Sequence, residues 1–531
     1  MDSHAALQDK SKDELIALLS VREAAAAEIR SKYATVQVRC ESAEAEVEKL
    51  HLLLKQLSRT LYGRRSERLD ADQMQLGLED VEQSLGTTEA AAEEAEAGAE
   101  RHRRSSTARR NRGALPKHLP REEVVIEPEV LSCPCCNGAL HVIGEDVSEQ
   151  LDVVPAQFKV KLIRRPRYGC RACESAVVQA PAPARIVDGG MPTEAVIAHV
   201  VISKYLDHLP LYRQAQIYAR QGIDLDRSTL ANWVGRAAWW LKPLHERLLA
   251  EITGSTKIFA DDTPVPVLDP GRGRTKTGRL WAYARDDRPW QGTDPPAVAY
   301  VYSEDRRHRH PLDHLGSFTG TLQVDAFAGF DRLAVERDAV MLAHCWAHTR
   351  RKFYDVHQAT ASPIAAEAMK RIGKLYAVEE EIRGRSAGAR CRIRIEKSRP
   401  LLDDLKPWLE AQLGRISGKS TLAQAIRYAL TRWQTLGRFI DDGRIEIDTN
   451  TVERTIRPIA LGRKNHLFAG SDGGARTWAI HASVIQSARL NDLEPFAYLK
   501  DILERMVQGH PINRLDELLP WNYAAPLSEA A

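Results

Sequence analysis

KIFADDTPVPVL, residues 257–268, is a β-type apolar run that carries two adjacent carboxylates, Asp261 and Asp262. Runs of the same character follow at 279–284 and 297–302, then at 321–324 within TLQVDAFAGF (321–330), after a loop containing Gly316 and Gly320. A helical stretch from Phe330 and a fifth apolar run at 339–343 come next. Three strands in a meander, then strand, helix, strand, is the order of a ribonuclease-H-like sheet. The expected fold class is therefore multidomain α/β, with a ribonuclease-H-like domain over 251–510. Residues of about 355–440 read as helices rich in Arg and Lys inserted into that domain, and a further helix begins near Asn450.

Outward from this region, 531 residues are more than one hydrophobic core usually supports. Ile29, Tyr33, Val36, Cys40, Ala43, Val47, Leu50, Leu54, Leu57 and Leu61 are spaced alternately four and three. That spacing keeps one stripe facing a partner helix, so 1–70 is expected to be a coiled-coil oligomerisation segment, the plainer alternative being one long helix packed on its own chain. Residues 79–100 carry eight acidic side chains and no basic ones, and 101–121 carry eight Lys or Arg and no acidic ones. Like-charge blocks bury too little apolar area to offset ordering entropy, so 71–120 is expected to be a disordered charged linker. The net charge of +3 decides nothing about nucleic acid, since footprints come from local charge. No apolar run is long enough for a membrane-spanning helix and the N-terminus lacks a signal-peptide pattern, so a cytoplasmic, nucleoid-associated protein with no membrane partner is expected.

Cys133 with Cys136, and Cys170 with Cys173, form two C-x-x-C knuckles, the spacing that lets two thiolates from one tight turn share a tetrahedral zinc. A zinc ribbon-like module over 121–185 with structural Zn2+ follows; Cys135 is a spare, and a redox pair is the alternative. Between 190 and 250 the pattern turns helical. Pro210 suits the first turn of one helix, Gly222 its C-terminal cap, and Asp226 or Ser228 the next N-cap. As a helix-turn-helix-like DNA-binding region it would put Arg227 and Asn232, with Ser228, Thr229 and Arg236, into a major groove; an ordinary helical hairpin is the bland reading. Trp233, Trp239 and Trp240 are expected in core or interface. Residues 511–531 read as a C-terminal tail.

Asp261 lies in the first strand and Asp325 at the end of the fourth, and carboxylates at strand ends of one sheet converge. Magnesium (or manganese) keeps several waters, so such a group with open positions suits phosphate chemistry, and two ions roughly 3.5–4 Å apart can serve both attacking and leaving oxygens. Glu453, in DTNTVERTIRP, supplies a third carboxylate, beside Arg454 and Arg457. Each has a plainer reading: Asp262 in place of Asp261, since one register step exchanges strand faces; a turn start for Asp325; a capping box with Asn450 for Glu453. Arg350 and Arg351 near the sheet, and Arg463 and Lys464 after Glu453, are further candidate phosphate contacts. Cys345 and His348 make a C-x-x-H, which with His344 falls one ligand short of a metal site; a core Cys and a solvent-facing His are the alternative.

LYGRRSERL (61–69), CPCC with CRAC, KYLDHLPLYRQ (204–214), ADDTPVPVLDPGRGRTKTGRLWAYARDD (260–287), CWAHTRRKF (345–353) and TVERTIRPIALGRKNHLFAGSDGGA (451–475) together resemble the insertion sequence sixty-six family of bacterial DDE transposases. The resemblance spans nearly the whole chain. It implies catalytic, metal-holding roles for Asp261, Asp325 and Glu453, with Asp261 preferred over Asp262 because an acidic residue and a Thr follow it. It also implies a supporting role for His348 and a helical insertion before Glu453. Ala326 departs from the family, which usually has Gly there. The implied activity is magnesium-dependent cleavage and joining of double-stranded DNA at terminal inverted repeats and target, by a homodimer or higher oligomer with possible accessory proteins of the same element. The competing readings are a transposition regulator that does not cut and a structure-specific nuclease that does not join.

Overall fold

The computed structural model describes residues 157–169, 177–187, 190–269 and 274–524. The chain divides into two compact units, 1–161 and 162–531, and the strands and helices described below belong to the second. The coiled-coil segment, the charged linker and the four knuckle cysteines Cys133, Cys136, Cys170 and Cys173 lie outside the described residues.

A short antiparallel pair opens this unit, β1 (Arg167–Gly169) and β2 (Val177–Gln179), with Tyr168 opposite Val178. Three helices follow: α1 (Glu194–Tyr205), capped by Thr193, α2 (Leu211–Ala219) and α3 (Arg227–Thr253). Gly222 takes φ +78° in the turn leaving α2, a left-handed conformation that costs glycine little. Asp226, rather than Ser228, caps α3, its Oδ1 accepting from Ser228 N at 2.6 Å. Buried Leu230, Trp233, Val234, Ala237, Leu241, Leu244, Leu248 and Ile252 repeat at helical spacing along α3, so the helix has one continuous apolar stripe. It packs against the sheet and the C-terminal helices, with His245 Nε2 donating to Tyr300 O at 2.9 Å.

The main sheet comprises β3 (Lys257–Asp269), β4 (Arg274–Arg285), β5 (Ala297–Ser303), β6 (Gly320–Val324) and β7 (Val340–His344), in the order β5-β4-β3-β6-β7. The first three are antiparallel neighbours, whereas β6 and β7 run parallel to β3. Between them lie α4 (Arg309–His314), before β6, and α5 (Ala328–Glu336), which makes the crossover from β6 to β7. β3 is central because Ile258, Phe259 and Ala260 are buried and can tolerate cover on both faces. Gly320 starts β6 at φ +131°, and a Cβ there would collide with the carbonyl oxygen of Thr256.

After β7 come α6 (Trp346–Thr360), α7 (Pro363–Ile382), α8 (Ala387–Ile393), a π-turn at Arg394–Ser398, α9 (Arg399–Leu413), α10 (Thr421–Thr431) and α11 (Trp433–Gly437). These helices share a core of their own, with Phe353, Ile372, Leu375, Leu405, Ile426 and Phe439 among its fully buried members. The chain then returns to the sheet through α12 (Asn450–His466), α13 (Asp472–Leu490) and α14 (Pro495–Val507). α13 seals the edge strand β5: Val298 N and Tyr300 N donate to Ser487 Oγ (3.0 Å) and Ser483 Oγ (2.8 Å), so strand donors that face outward are satisfied by helix hydroxyls. Part of the segment expected to be a tail is packed: Ile512–Leu518 forms 3-10 turns with Leu515 and Leu518 buried, and Tyr498 donates to Leu518 O at 2.6 Å.

Candidate active site

The parallel register pairs Ala260 with Val324, so Asp261 and Asp325 are the next residues on two adjacent strands. Asp325 directly follows β6, and its Oδ1 accepts from Phe327 N at 2.9 Å, which closes the turn into α5. The turn-starting role and the position beside Asp261 thus coexist. Glu453 lies in the first turn of α12, where its Oε1 accepts from Thr449 Oγ1 at 3.1 Å. The capping-box alternative is not what forms, since Thr449 is the N-cap and the Asn450 amide donates instead to Asp448 at 2.7 Å.

Burial raises the Asp261 carboxyl to about 8, and the negative charges of Asp325, Asp262 and Glu453 add to the shift, against the opposing hydrogen bond from Asp262 N. All three candidate carboxylates therefore share one field. Among the described residues no cation pairs with Asp261, whereas the Asp262 side chain is fully buried and held by Arg279 (3.0 Å) and Arg306 (2.8 Å). Asp262 is a structural ion pair, and Asp261 is the carboxyl without a cationic partner among the described residues. An oxygen-rich, anion-excess cluster of this kind fits a hard divalent cation, which would take the place of the proton that Asp261 otherwise holds at neutral pH.

The tightest set of candidate ligand groups is a different one. Cys345 Sγ, His348 and Glu453 offer atoms that all lie within 4.8 Å of one another, and the Asp261, Asp325 and Glu453 oxygens are spread more widely than that. His348 Nδ1 stands 3.8 Å from Glu453 Oε1. Cys345, however, is buried, accepts from Thr449 N at 3.3 Å, and has its thiol pushed up to about 12 by burial, so it packs as a thiol rather than as a ligating thiolate. His344 is not in that set: its Nδ1 meets Thr435 Oγ1 at 2.8 Å and its Nε2 stands 3.5 Å from Asp331 Oδ1. Asp448, which carries no motif signal in the sequence, is pushed up to about 6 by burial, with the charges of Glu446 and Glu453 adding to it.

The candidate DNA contacts are distributed over several elements. Arg227 and Asn232 are exposed on α3; Asn232 shares a stripe with Arg236, whose Nε donates to Asn232 Oδ1 at 3.0 Å, whereas Arg227, at the helix start, lies off that stripe. Trp239 continues this stripe and is 68% exposed, unlike buried Trp233, so only Trp233 is a core residue. Arg350 is half-buried on α6 next to the site, and exposed Arg351 pairs with Asp355 at 2.9 Å. On α12, Arg457 and Lys464 follow Glu453 at four and eleven residues, which places all three on one helix face. Arg454 and Arg457 also line an open cleft of about 1110 Å³ with Arg288 and Arg489. Arg463 donates to the carbonyl of Pro264 and so ties α12 to β3. Arg306 and Arg279 were missed; the only trace of the first is the basic run RRHRH at 306–310, which resembles any solvated loop.

The Transposase IS66 family model matches residues 189–477, flanked by matches to the zinc-finger binding domain of transposase IS66 (131–174) and the IS66 C-terminal element (483–521). Residues 49–124 match a model described as Transposase C of IS166 homeodomain. Three relatives from Sinorhizobium fredii are uncharacterized proteins. The protein y4jD is 51% identical over 88% of this chain and 93% of its own length; y4qI is 43% identical over 95% of each. The third, y4hP, is 40% identical over 89% of this chain and 88% of its own. Among the described residues no helix is long and apolar enough to cross a membrane.

Proposed function

The chain belongs to the IS66 transposase family, and from that premise we propose that it binds the terminal inverted repeats of an insertion sequence and performs metal-dependent strand cleavage and strand transfer within a ribonuclease-H-like domain. One observation carries the reading: Asp261, within β3, and Asp325, just past the end of β6, each follow a member of the pair Ala260–Val324 on neighbouring parallel strands, and Glu453 from α12 enters the same electrostatic cluster. The sheet order β5-β4-β3-β6-β7 supports the fold assignment. Asp261, Asp325 and Glu453 would hold Mg2+ or Mn2+. Such an ion supplies a nucleophile at neutral pH and charge stabilisation at the transferred phosphate.

The remaining chemistry falls to the chain's own groups. Asp261 is the most enclosed of the three carboxyls, and His348, its Nδ1 3.8 Å from Glu453 Oε1, lies beside Glu453 at the edge of the site. Arg457 and Lys464, aligned with Glu453, offer phosphate contacts that set the strand along α12, while Arg227 and Asn232 face a groove from α3. Water exposes a 3′-hydroxyl at the element end in the first step, and that hydroxyl attacks a target phosphodiester in the second. Cys133, Cys136, Cys170 and Cys173 would bind a structural zinc, and the heptad seam at 29–61 would pair protomers so that two ends are held together.

Asp261→Asn, Asp325→Asn and Glu453→Gln should each abolish nicking of a labelled end in magnesium and leave end binding in a gel-shift assay intact. Nicking at the wild-type rate by any one of them would reject its place in the site.

A further inference from the structure

Asp325 has two differently employed oxygens. Oδ1 is taken by the Phe327 amide in the turn after β6, and Oδ2 faces the Arg306 guanidinium at 3.8 Å. Arg306 is also bound at 2.8 Å to the buried Asp262, whose other oxygen is taken by Arg279. Its planar head lies 4.2 Å from the centroid of the Phe327 ring, and that ring is fixed edge-on against Phe330. Three contacts thus hold one cation at the mouth of the acidic cluster, with the side chain still 38% exposed.

We propose that Arg306 is a positioning residue that stands in for the metal: its guanidinium occupies the cation position at Asp325 and competes with a divalent ion for that carboxylate. The proposal rests on the reading of Asp261 and Asp325 as metal-holding groups. Because the bond to Asp262 is shorter and its partner buried, Arg306 can yield Asp325 without leaving its anchor. The exchange is a small rotation of the guanidinium about the Asp262 contact. Before an ion arrives, Arg306 offsets the charge of Asp325 next to that of Asp262 and keeps Asp325 aimed at the cluster; afterwards it faces the incoming DNA with one partner fewer.

The test is Mn2+ binding by the full-length protein without DNA, followed by electron paramagnetic resonance or calorimetry. In Arg306→Gln, which retains a donor for Asp262, the Mn2+ Kd should fall on the order of threefold to tenfold, the effect of one unit charge on a dication roughly 6 Å away through a water-like dielectric. Arg306→Ala should shift it the same way, and Arg306→Lys should stay near wild type. A merely structural role would loosen the ion, because a disordered cluster binds less well. An unchanged or raised Kd in whichever neutral variant keeps the wild-type melting temperature would overturn the proposal. Asp325→Asn separates this from the underlying reading: if it binds Mn2+ as wild type does, the carboxylate assignment fails, whatever Arg306 does.

Discussion

His481 is enclosed between the Tyr205 ring, stacked at 5.1 Å, and the backbone of α3, where its Nε2 donates to Val234 O at 3.0 Å. Burial lowers it to about 4, and His466 and His344 are lowered to about 4 for the same reason. An unfolded chain takes up these protons near pH 6.5 and the folded one only near 4, so the unfolded state binds more protons between those values and stability falls as pH falls through that window. Each such histidine contributes at most about 1.4 kcal/mol per pH unit. His481→Gln should flatten the dependence of the urea midpoint on pH between 6.5 and 4; an unaltered slope would mean that this ring does not titrate in the transition. Asp261 works in the opposite sense. Its folded value near 8 lies above the unfolded one, so the ion-free protein loses stability as pH rises toward 8. Asp261→Asn should therefore raise the melting temperature of the ion-free protein at pH 8 by about 2 °C or more while nicking is lost. Asp261 was singled out by its place in ADDT, but its lack of a cationic partner was not legible, because Arg279 and Arg306 choose Asp262 only once β4 and the loop after β5 are folded beside β3.

At the scale of elements, the junction of β3 and β6 decides whether Asp325 reaches Asp261, and Gly320 sets that junction. Thr321 N donates to Thr256 O at 2.9 Å, an approach that a Cβ at 320 would obstruct. Gly320→Ala should lower the melting temperature by several degrees and reduce nicking more than end binding, since it displaces β6 without touching α3. Equal losses in both assays would place the damage elsewhere. In the inserted helices, Arg394 is fully buried, with a two-point contact to Glu379 (2.6 and 2.8 Å) and a bond to Phe439 O at 2.7 Å. Arg394→Met would leave Glu379 and its remaining partner Arg390 mismatched in the interior, at a cost of about 3–5 kcal/mol by chemical denaturation. The five strands were legible to within a few residues because apolar side chains crowd them. The exception is the start of β4, where Arg274, Thr275, Lys276 and Thr277 pair with β3 beyond the core and carry no apolar signal. The boundaries of the inserted helices were not legible, since Ser362, Ser386 and Ser420 mark their starts with residues common in any loop.

Over the whole molecule, candidate phosphate-binding side chains are spread across α3, α6 and α12, so DNA affinity should fall steeply with salt. An Arg454→Ala, Lys464→Ala double substitution should reduce the slope of log K against log salt by about one for each phosphate no longer neutralised, and weaken all sequences alike. A change confined to one sequence would instead assign these side chains to base readout. What the sequence by itself determined is the order of strands and helices and the family, and it nominated the candidate acidic residues, because periodicity and motif are local properties of the chain. Only the tertiary structure decided which carboxylate is paired and which is bare, that Arg463 ties α12 to β3, that Cys345 is sealed as a thiol, and that Arg306 spans Asp262 and Asp325. Burial and charge partnership arise from residues tens to hundreds of positions apart, and no window along the chain contains both members of such a pair.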